Sequence, residues 1–328
     1  LLKKLTIGKK YPKMIKIIAE IANAHQGNYK TAIKLANDAF LNGADAVKFQ
    51  IYFADELLVK SHTRYNHFAK QSFSTGQWRK IFKSQKNRKI YCDIFGSKAL
   101  KLAIKNNVYG IKIHSSDLEN EGLIRKVPKN MEVLLSCGGS SLFDISKAIN
   151  LLNEKGIKPI LMHGFQAYPT NIRDINFNRF KLLIKQFKNK ASIGFQDHTS
   201  GSDKMNFYLP ILAIGMGANY IEKHITLDRA KKKVDYYSSI EPKKLKQFIK
   251  IIRDLEKAFV LKESHFSKSE KNYSKITSKN WVAKKNIKKG QKIHISNLVL
   301  KRVNPQKNFN ADIEKNINKR AKKLIKKE

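Results

Sequence analysis

His198, in Gly-Phe-Gln-Asp-His-Thr (194–199), and His224, in Ile-Glu-Lys-His-Ile-Thr (221–226), each stand just after or at the end of a short apolar run. Two imidazoles on neighbouring strands can grip one divalent cation. Nitrogen ligands with few carboxylates leave positions open for water and substrate oxygen, which suits Mn, Fe, Co or Zn. Lys48 and Lys112 lie inside otherwise apolar runs. A buried ammonium needs a counter-charge. Either a carboxylate of the chain supplies it (Glu20, Asp45 or Glu222), or the lysines line a pocket for a phosphate or carboxylate. Ser115, Ser116 and Ser136, with the backbone N–H groups of Gly138-Gly139, are suitable neutral donors to phosphate oxygens. His25 and His163 suit either a supporting role at such a site or packing. Cys92 and Cys137 have no nearby base in sequence and read as inert, packed thiols.

The elements that must position these groups are eight short apolar runs: Ile15–Ile21, Ala46–Gln50, Ile90–Phe95, Gly110–Ile113, Glu132–Cys137, Pro159–His163, Ala191–Phe195 and Tyr220–Ile225. Near-continuous apolar character fits strands buried on both faces, as in a parallel sheet. Helical spacing recurs between them. Ala32, Ile33, Leu35, Ala36, Ala39 and Phe40 share a face before Gly43; Leu142–Leu152, Leu182–Phe187 and Ile211–Met216 read similarly. Pro242 opens a last amphipathic helix carrying Leu245, Phe248, Ile249, Ile252, Leu255 and Phe259. Eight β–α units in about 260 residues fit a closed (β/α)₈ TIM barrel, whose chemistry gathers at the C-terminal strand ends. An open doubly wound sheet is the competitor, but no Gly-rich dinucleotide loop follows the first run. The expected organisation is a barrel over 1–260, a polar linker over 261–279, and a small β-rich module over 280–328. The tail of that module, 321–328, ends abruptly and reads as short of a last strand.

The chain of 328 residues carries 66 basic and 26 acidic side chains, a formal net charge of +40. The cations are mostly Lys, spread along the whole chain beside abundant Asn and Ile. That pattern reads as compositional drift rather than a nucleic-acid-binding face, although the charge still steers anionic substrates. No run is long and apolar enough to span a bilayer. The start shows no secretory signal and lacks Met, so a truncated or processed N-terminus is expected. Two cysteines make no disulfide framework, and a cytoplasmic location is expected.

The motifs together resemble the sialic acid synthases, phosphoenolpyruvate-dependent enzymes that make N-acetylneuraminate and related nonulosonates. The resemblance covers nearly the whole chain. It is carried by Ile-Ile-Ala-Glu-Ile-Ala-Asn-Ala-His-Gln-Gly-Asn (17–28), Gly-Ala-Asp-Ala-Val-Lys-Phe-Gln (43–50), Ile-Lys-Ile-His-Ser-Ser-Asp-Leu (111–118), Leu-Ser-Cys-Gly-Gly (135–139), Tyr-Pro-Thr (168–170), Gln-Asp-His-Thr (196–199) and Ile-Glu-Lys-His-Ile-Thr-Leu-Asp (221–228). It implies a TIM barrel followed by an antifreeze-like (SAF) module over Val282–Arg302, in a domain-swapped homodimer whose modules close over each other's barrel mouths. It implies that His198 and His224 bind a divalent metal, typically Mn, with Mg or Co as alternatives. Lys48, Lys112, Ser115, Ser136 and Gln166 fall where the family binds phosphoenolpyruvate. Glu20, Gln50, Asp117, Tyr168 and Asp235 fall where it holds the amino sugar, and Arg302 matches the arginine that reaches the N-acyl group across the dimer. Glu20 is the candidate for positioning or activating groups at the sugar end, with Glu222 the second choice.

Four departures stand out: Gln196 replaces the usual Ser before Asp-His, Cys-Asp-Ile-Phe (92–95) replaces Ser-Thr-Pro-Phe, Gln166 replaces an Asn, and Lys233-Val234 replaces Gly-Pro. Asp93 beside a phosphate is repulsive unless a lysine compensates it. The expected reaction condenses phosphoenolpyruvate with an N-acyl hexosamine such as ManNAc. The alternatives are a phosphorylated or diacetamido-trideoxy acceptor, a non-catalytic relative, or a nucleic-acid-binding relative.

Overall fold

The computed structural model describes residues 14–165, 167–259, 265–303 and 313–328. The chain divides into two compact units, Leu1–Phe259 and Val260–Glu328.

In the first unit β1 (Lys16–Glu20), α1 (Tyr29–Leu41) and β2 (Ala46–Ile51) lead to three short helices, α2 (Ala54–Leu57), α3 (Tyr65–Gln71) and α4 (Thr75–Ser84). Then follow β3 (Ile90–Ile94), α5 (Ser97–Lys105), β4 (Gly110–Ile113), α6 (Glu121–Ile124), β5 (Glu132–Ser136) and α7 (Leu142–Glu154). The unit is completed by β6 (Ile160–His163), α8 (Phe177–Phe187), β7 (Ser192–Asp197), α9 (Met205–Gly215), β8 (Tyr220–His224) and α10 (Pro242–Glu256). The eight strands are parallel and close into a barrel in sequence order, β8 pairing back onto β1 from Lys16↔Tyr220 to Glu20↔His224. This is the expected (β/α)₈ barrel, with strand ends within two residues of the apolar runs.

Each wall residue faces either the helices or the barrel interior, with period two. The outward set packs with the helices into one continuous core: Ile17, Val47, Phe49, Cys92 and Ile111 meet Leu35, Leu100, Ile149, Phe180 and Phe248. Helix signals in the sequence explain how the outer layer is built. Asn28 caps α1 by accepting from the N–H groups of Lys30 and Thr31 at 2.9 and 3.2 Å, and Pro242 opens α10, which buries Leu245, Phe248, Ile249 and Ile252.

The inward set is layered. Its apolar floor comprises Ile18, Ala46, Tyr91, Leu134, Ile160 and Met162. Two glycines make room for it: a Cβ on Gly110 would stand 2.6 Å from the Tyr91 ring, and one on Gly194 would stand 2.3 Å from Met162 Sδ. Above that floor, two residues further along the same strand faces, the interior becomes charged.

The second unit contains α11 (Lys268–Thr277), β9 (Lys279–Ala283) and β10 (Leu298–Arg302). The two strands pair antiparallel from Leu298↔Ala283 to Arg302↔Lys279. Its own small core holds Ala283, Ile287, Ile293, Leu298, Ile313 and Ala321. The stretch 261–279, read as linker, thus contains a ten-residue helix. Ser267 and Glu270 form a reciprocal capping box at its start, a start signal that outweighs the polar composition.

Candidate active site

The C-terminal half of the barrel interior gathers three carboxyl groups and two ammonium groups, all buried: Glu20, Asp93 and Glu222 with Lys48 and Lys112. Strand register makes this inevitable, because Glu20 pairs laterally with Lys48 and Asp93 with Lys112. Lys48 Nζ is ion-paired with Glu20, lies 3.2 Å from Asp93 Oδ2 and 3.6 Å from Glu222 Oε1. Lys112 Nζ donates to both Glu222 oxygens, at 3.0 and 3.2 Å, and lies 3.9 Å from Asp93 Oδ2. Of the counter-ions considered from sequence, Glu20 and Glu222 are therefore the partners. Asp45 is not, since it binds Arg253 at 2.5 Å and the Ile17 N–H at 2.7 Å. Asp93 is the partner the sequence left as a puzzle, and both lysines compensate it.

Burial and neighbours drive the two glutamates apart. Burial raises Glu20 to about 7 against the opposing pull of Lys48 and Lys112. Burial pushes Glu222 the same way, but Lys112 and Lys48 overcome it and hold Glu222 well below the usual carboxylate range. Burial alone would lower Lys48, yet Glu20, Glu222 and Asp93 hold it well above its ordinary value. A pair of carboxyl groups split in this way can serve as one proton-transfer group and one fixed anion.

At the rim of this layer, β7 and β8 deliver the two histidines. The rings of His198 and His224 are 5.0 Å apart between centroids, and both are buried. The Nδ1 atoms of both are buried without a hydrogen-bond partner among the described residues. Burial, reinforced by Lys112, lowers His198 to about 4, and burial and the neighbouring His198 hold His224 well below its ordinary value; both shifts favour the neutral ring. Metal–nitrogen bonds of about 2.0–2.1 Å put the rings of two ligands on one ion roughly 4.5–6 Å apart. Neutral imidazoles at this spacing, with orphaned nitrogens, fit a divalent cation. Among the described residues no group of three or more His, Cys, Asp or Glu could hold a metal ion. The site is held from behind: the His198 carbonyl accepts from the Thr170 N–H at 2.9 Å and from Ser238 Oγ at 2.6 Å.

The other expected residues divide clearly. Tyr168 stands edge-on to both imidazoles, its ring 4.9 Å from His198 and 5.7 Å from His224. Asp235 reaches the turn after β1 from the loop after β8, its Oδ2 accepting from the Asn23 N–H at 3.0 Å. Burial raises it, with Arg64 and His67 among the groups opposing. Ser136 is buried and accepts from Gln196 Nε2 at 3.0 Å, so an expected phosphate-end hydroxyl is tied to the residue that departs from the family's usual Ser. Gln50 is half-buried on β2 beside Asp93. Ser115 and Asp117 lie on the turn after β4, where Asp117 Oδ1 accepts from Asn120 Nδ2 at 3.1 Å. Gln166 lies outside the described residues. Arg302 is exposed at the end of β10 in the second unit.

The other two histidines singled out from sequence pack against aromatic rings. His25 lies against Phe73 at 4.4 Å and accepts the Gly27 N–H; burial lowers it to about 4. His163 lies against Phe180, with its Nε2 2.8 Å from the Ile175 carbonyl. Both thiols are buried and raised by burial, Cys137 to about 12. Sequence reasoning missed Tyr52, whose hydroxyl donates to Asn23 Oδ1 at 2.6 Å and braces the Asp235 contact, and also Ser238. Neither lies in a quoted motif, although Tyr52 directly follows β2. Asp197 and Lys223, which stand beside the histidines in two of the quoted motifs, point outward: Lys223 Nζ binds Asp197 at 2.5 Å and the Asn206 carbonyl of α9 at 2.8 Å.

A family model described as the NeuB family matches residues 34–264. The chain is 32% identical over 307 residues to the uncharacterized protein MJ1065 of Methanocaldococcus jannaschii, covering 90% of this chain and 86% of that one. It is 30% identical over 306 residues to the N,N'-diacetyllegionaminic acid synthase of Campylobacter jejuni, covering 87% and 90%. Among solved structures, an N-acetylneuraminic acid synthetase of Leptospira borgpetersenii in complex with citrate superposes with a TM-score of 0.72 at 27% identity, covering 80% of this chain and 90% of that one. By family model, by sequence and by fold, the chain belongs to the NeuB family of sialic acid synthase-like enzymes.

Proposed function

We propose that the protein condenses phosphoenolpyruvate with the open-chain aldehyde of an N-acylated amino sugar, giving a nonulosonate and inorganic phosphate. The observation that carries this reading is the convergence at one barrel mouth of the His198–His224 pair with the buried Lys48–Lys112 pair. His198 and His224 would hold a divalent cation, Mn for preference, which supplies Lewis acidity toward the aldehyde oxygen.

Carbon 3 of phosphoenolpyruvate forms the new bond to the aldehyde carbon. Water adds at carbon 2, and phosphate leaves with its bridging oxygen. Lys48 and Lys112 balance the anionic donor as charge moves onto the departing phosphate. Glu20, held near neutrality, exchanges a proton at the sugar end, while Glu222 stays anionic and fixes the lysines. Tyr168, Asp235, Gln50 and Asp117 line the acceptor side. Gln166, Ser115 and Ser136 are assigned to the donor side. Arg302 is assigned to the N-acyl group of an acceptor bound by a second copy of the chain.

The names of the relatives span legionaminic, pseudaminic and N-acetylneuraminate-9-phosphate synthases, so the acceptor is the open variable. Mass spectrometry after incubation with phosphoenolpyruvate, Mn and a panel of acceptors tests the reading. The panel holds N-acetylmannosamine, its 6-phosphate and diacetamido-trideoxyhexoses. The expected product is one acceptor enlarged by a pyruvate unit. Phosphoenolpyruvate left intact with every acceptor would refute the reading.

A further inference from the structure

The inner layer sets three carboxyl groups around its two lysines, and one of the three sits on β3. Glu20 already partners Lys48, and Glu222 already partners Lys112. Asp93 is a third carboxyl group, inserted between the strands that carry the two lysines. Its Oδ2 lies 3.2 Å from Lys48 Nζ and 3.9 Å from Lys112 Nζ. Its Oδ1 is buried with no hydrogen-bond partner among the described residues, although the side chain is only 2% exposed. A carboxylate left half-satisfied in a dry layer is costly unless the site gains from its charge. One oxygen of Asp93 therefore takes the place, between two ammonium groups, that an oxygen of an incoming anion would take.

We propose that Asp93 is an internal competitor for the anion: its carboxylate holds Lys48 and Lys112 when no donor is bound, and it sets how weakly the layer grips a phosphoryl or carboxylate group. This rests on the reading that the lysine pair faces an anionic substrate, but it concerns the binding of the anion alone. A fixed like charge within a few ångströms opposes the phosphate directly, and burial leaves that repulsion poorly screened. Asp93 is thus a specificity-determining residue, favouring release of inorganic phosphate over its retention.

The test is calorimetric titration of the full chain with inorganic phosphate, comparing wild type with Asp93→Asn, Asp93→Ser and Asp55→Asn. Asp93→Ser replaces the amide if that variant folds poorly. Asp55→Asn changes the net charge equally, at an exposed ion pair with Lys98. The expected result is phosphate binding at least tenfold tighter in the Asp93 variants, with Asp55→Asn matching wild type. Equal affinities in all proteins, tightening in Asp55→Asn as well, or no phosphate binding by any of them overturns the assignment. Phosphate binding needs neither acceptor nor turnover, so the two readings fail separately. Tightening in a protein that condenses no sugar discards the synthase and keeps Asp93 as competitor. Sugar condensation without tightening does the reverse.

Discussion

Glu20 and Glu222 are the same residue type in the same buried layer, yet their neighbours give them opposite protonation preferences. Glu20 prefers its neutral form in the fold, so its contribution to stability is fully present below its ordinary value of 4.5 and is lost as pH rises through about 7. Glu20→Gln removes that loss. Urea denaturation should find the variant on the order of 3 kcal/mol more stable relative to wild type at pH 8 than at pH 4. If Glu20 exchanges the proton, the variant also loses the limb of the rate profile near pH 7; an unchanged limb assigns it to another group. At this scale, much was legible. His198 and His224 stood out by placement, and Lys48 and Lys112 by the cost of burying an ammonium among apolar residues. The pairing did not, because Asp45, Glu20 and Glu222 are equally plausible partners until strand register fixes which of them shares the barrel interior. The role of Ser238 depends on a loop path that no local spacing encodes, and that of Tyr52, just past β2, on which residue of the turn after β1 it meets.

Element geometry decides which of several consecutive charged residues performs chemistry. In Ile-Glu-Lys-His the strand alternation turns Glu222 and His224 inward and Lys223 outward. Lys223 then ties the barrel wall to α9 through Asp197 and Asn206, and burial lowers it from its ordinary value despite Asp197. Asp197→Ala strands that ammonium and should cost about 3–5 kcal/mol of stability, whereas Asp197→Leu with Lys223→Met should cost much less. Thermal and urea unfolding of the two proteins checks the difference; equal losses would mean that the pair contributes only packing. The strands were legible because a closed parallel barrel buries both strand faces and leaves dense apolar runs. The short helices α2, α3 and α4 were not delineated, since they bury only a few residues each and lack a long amphipathic repeat.

On the scale of the whole molecule, the +40 charge surrounds a chemistry proposed to begin with one anion and end by releasing another. Long-range attraction of this kind raises encounter rates and is screened by salt. The kcat/KM for phosphoenolpyruvate should fall several-fold between about 20 and 200 mM NaCl while kcat holds steady. A salt-independent kcat/KM would leave the charge without a role in capture. The first unit contains the histidine pair and the buried charged layer; the second carries Arg302, exposed at the end of β10 and proposed above to meet an acceptor bound by a second copy.

The most direct measurement of the central claim is continuous phosphate release from phosphoenolpyruvate, with and without an amino-sugar aldehyde and Mn, in wild type, His198→Ala and His224→Ala. The account predicts release that requires aldehyde and metal together, stops on chelation, and falls at least 100-fold in either variant while each keeps its native circular dichroism. Release that persists in both histidine variants, or that proceeds without any aldehyde, would contradict it.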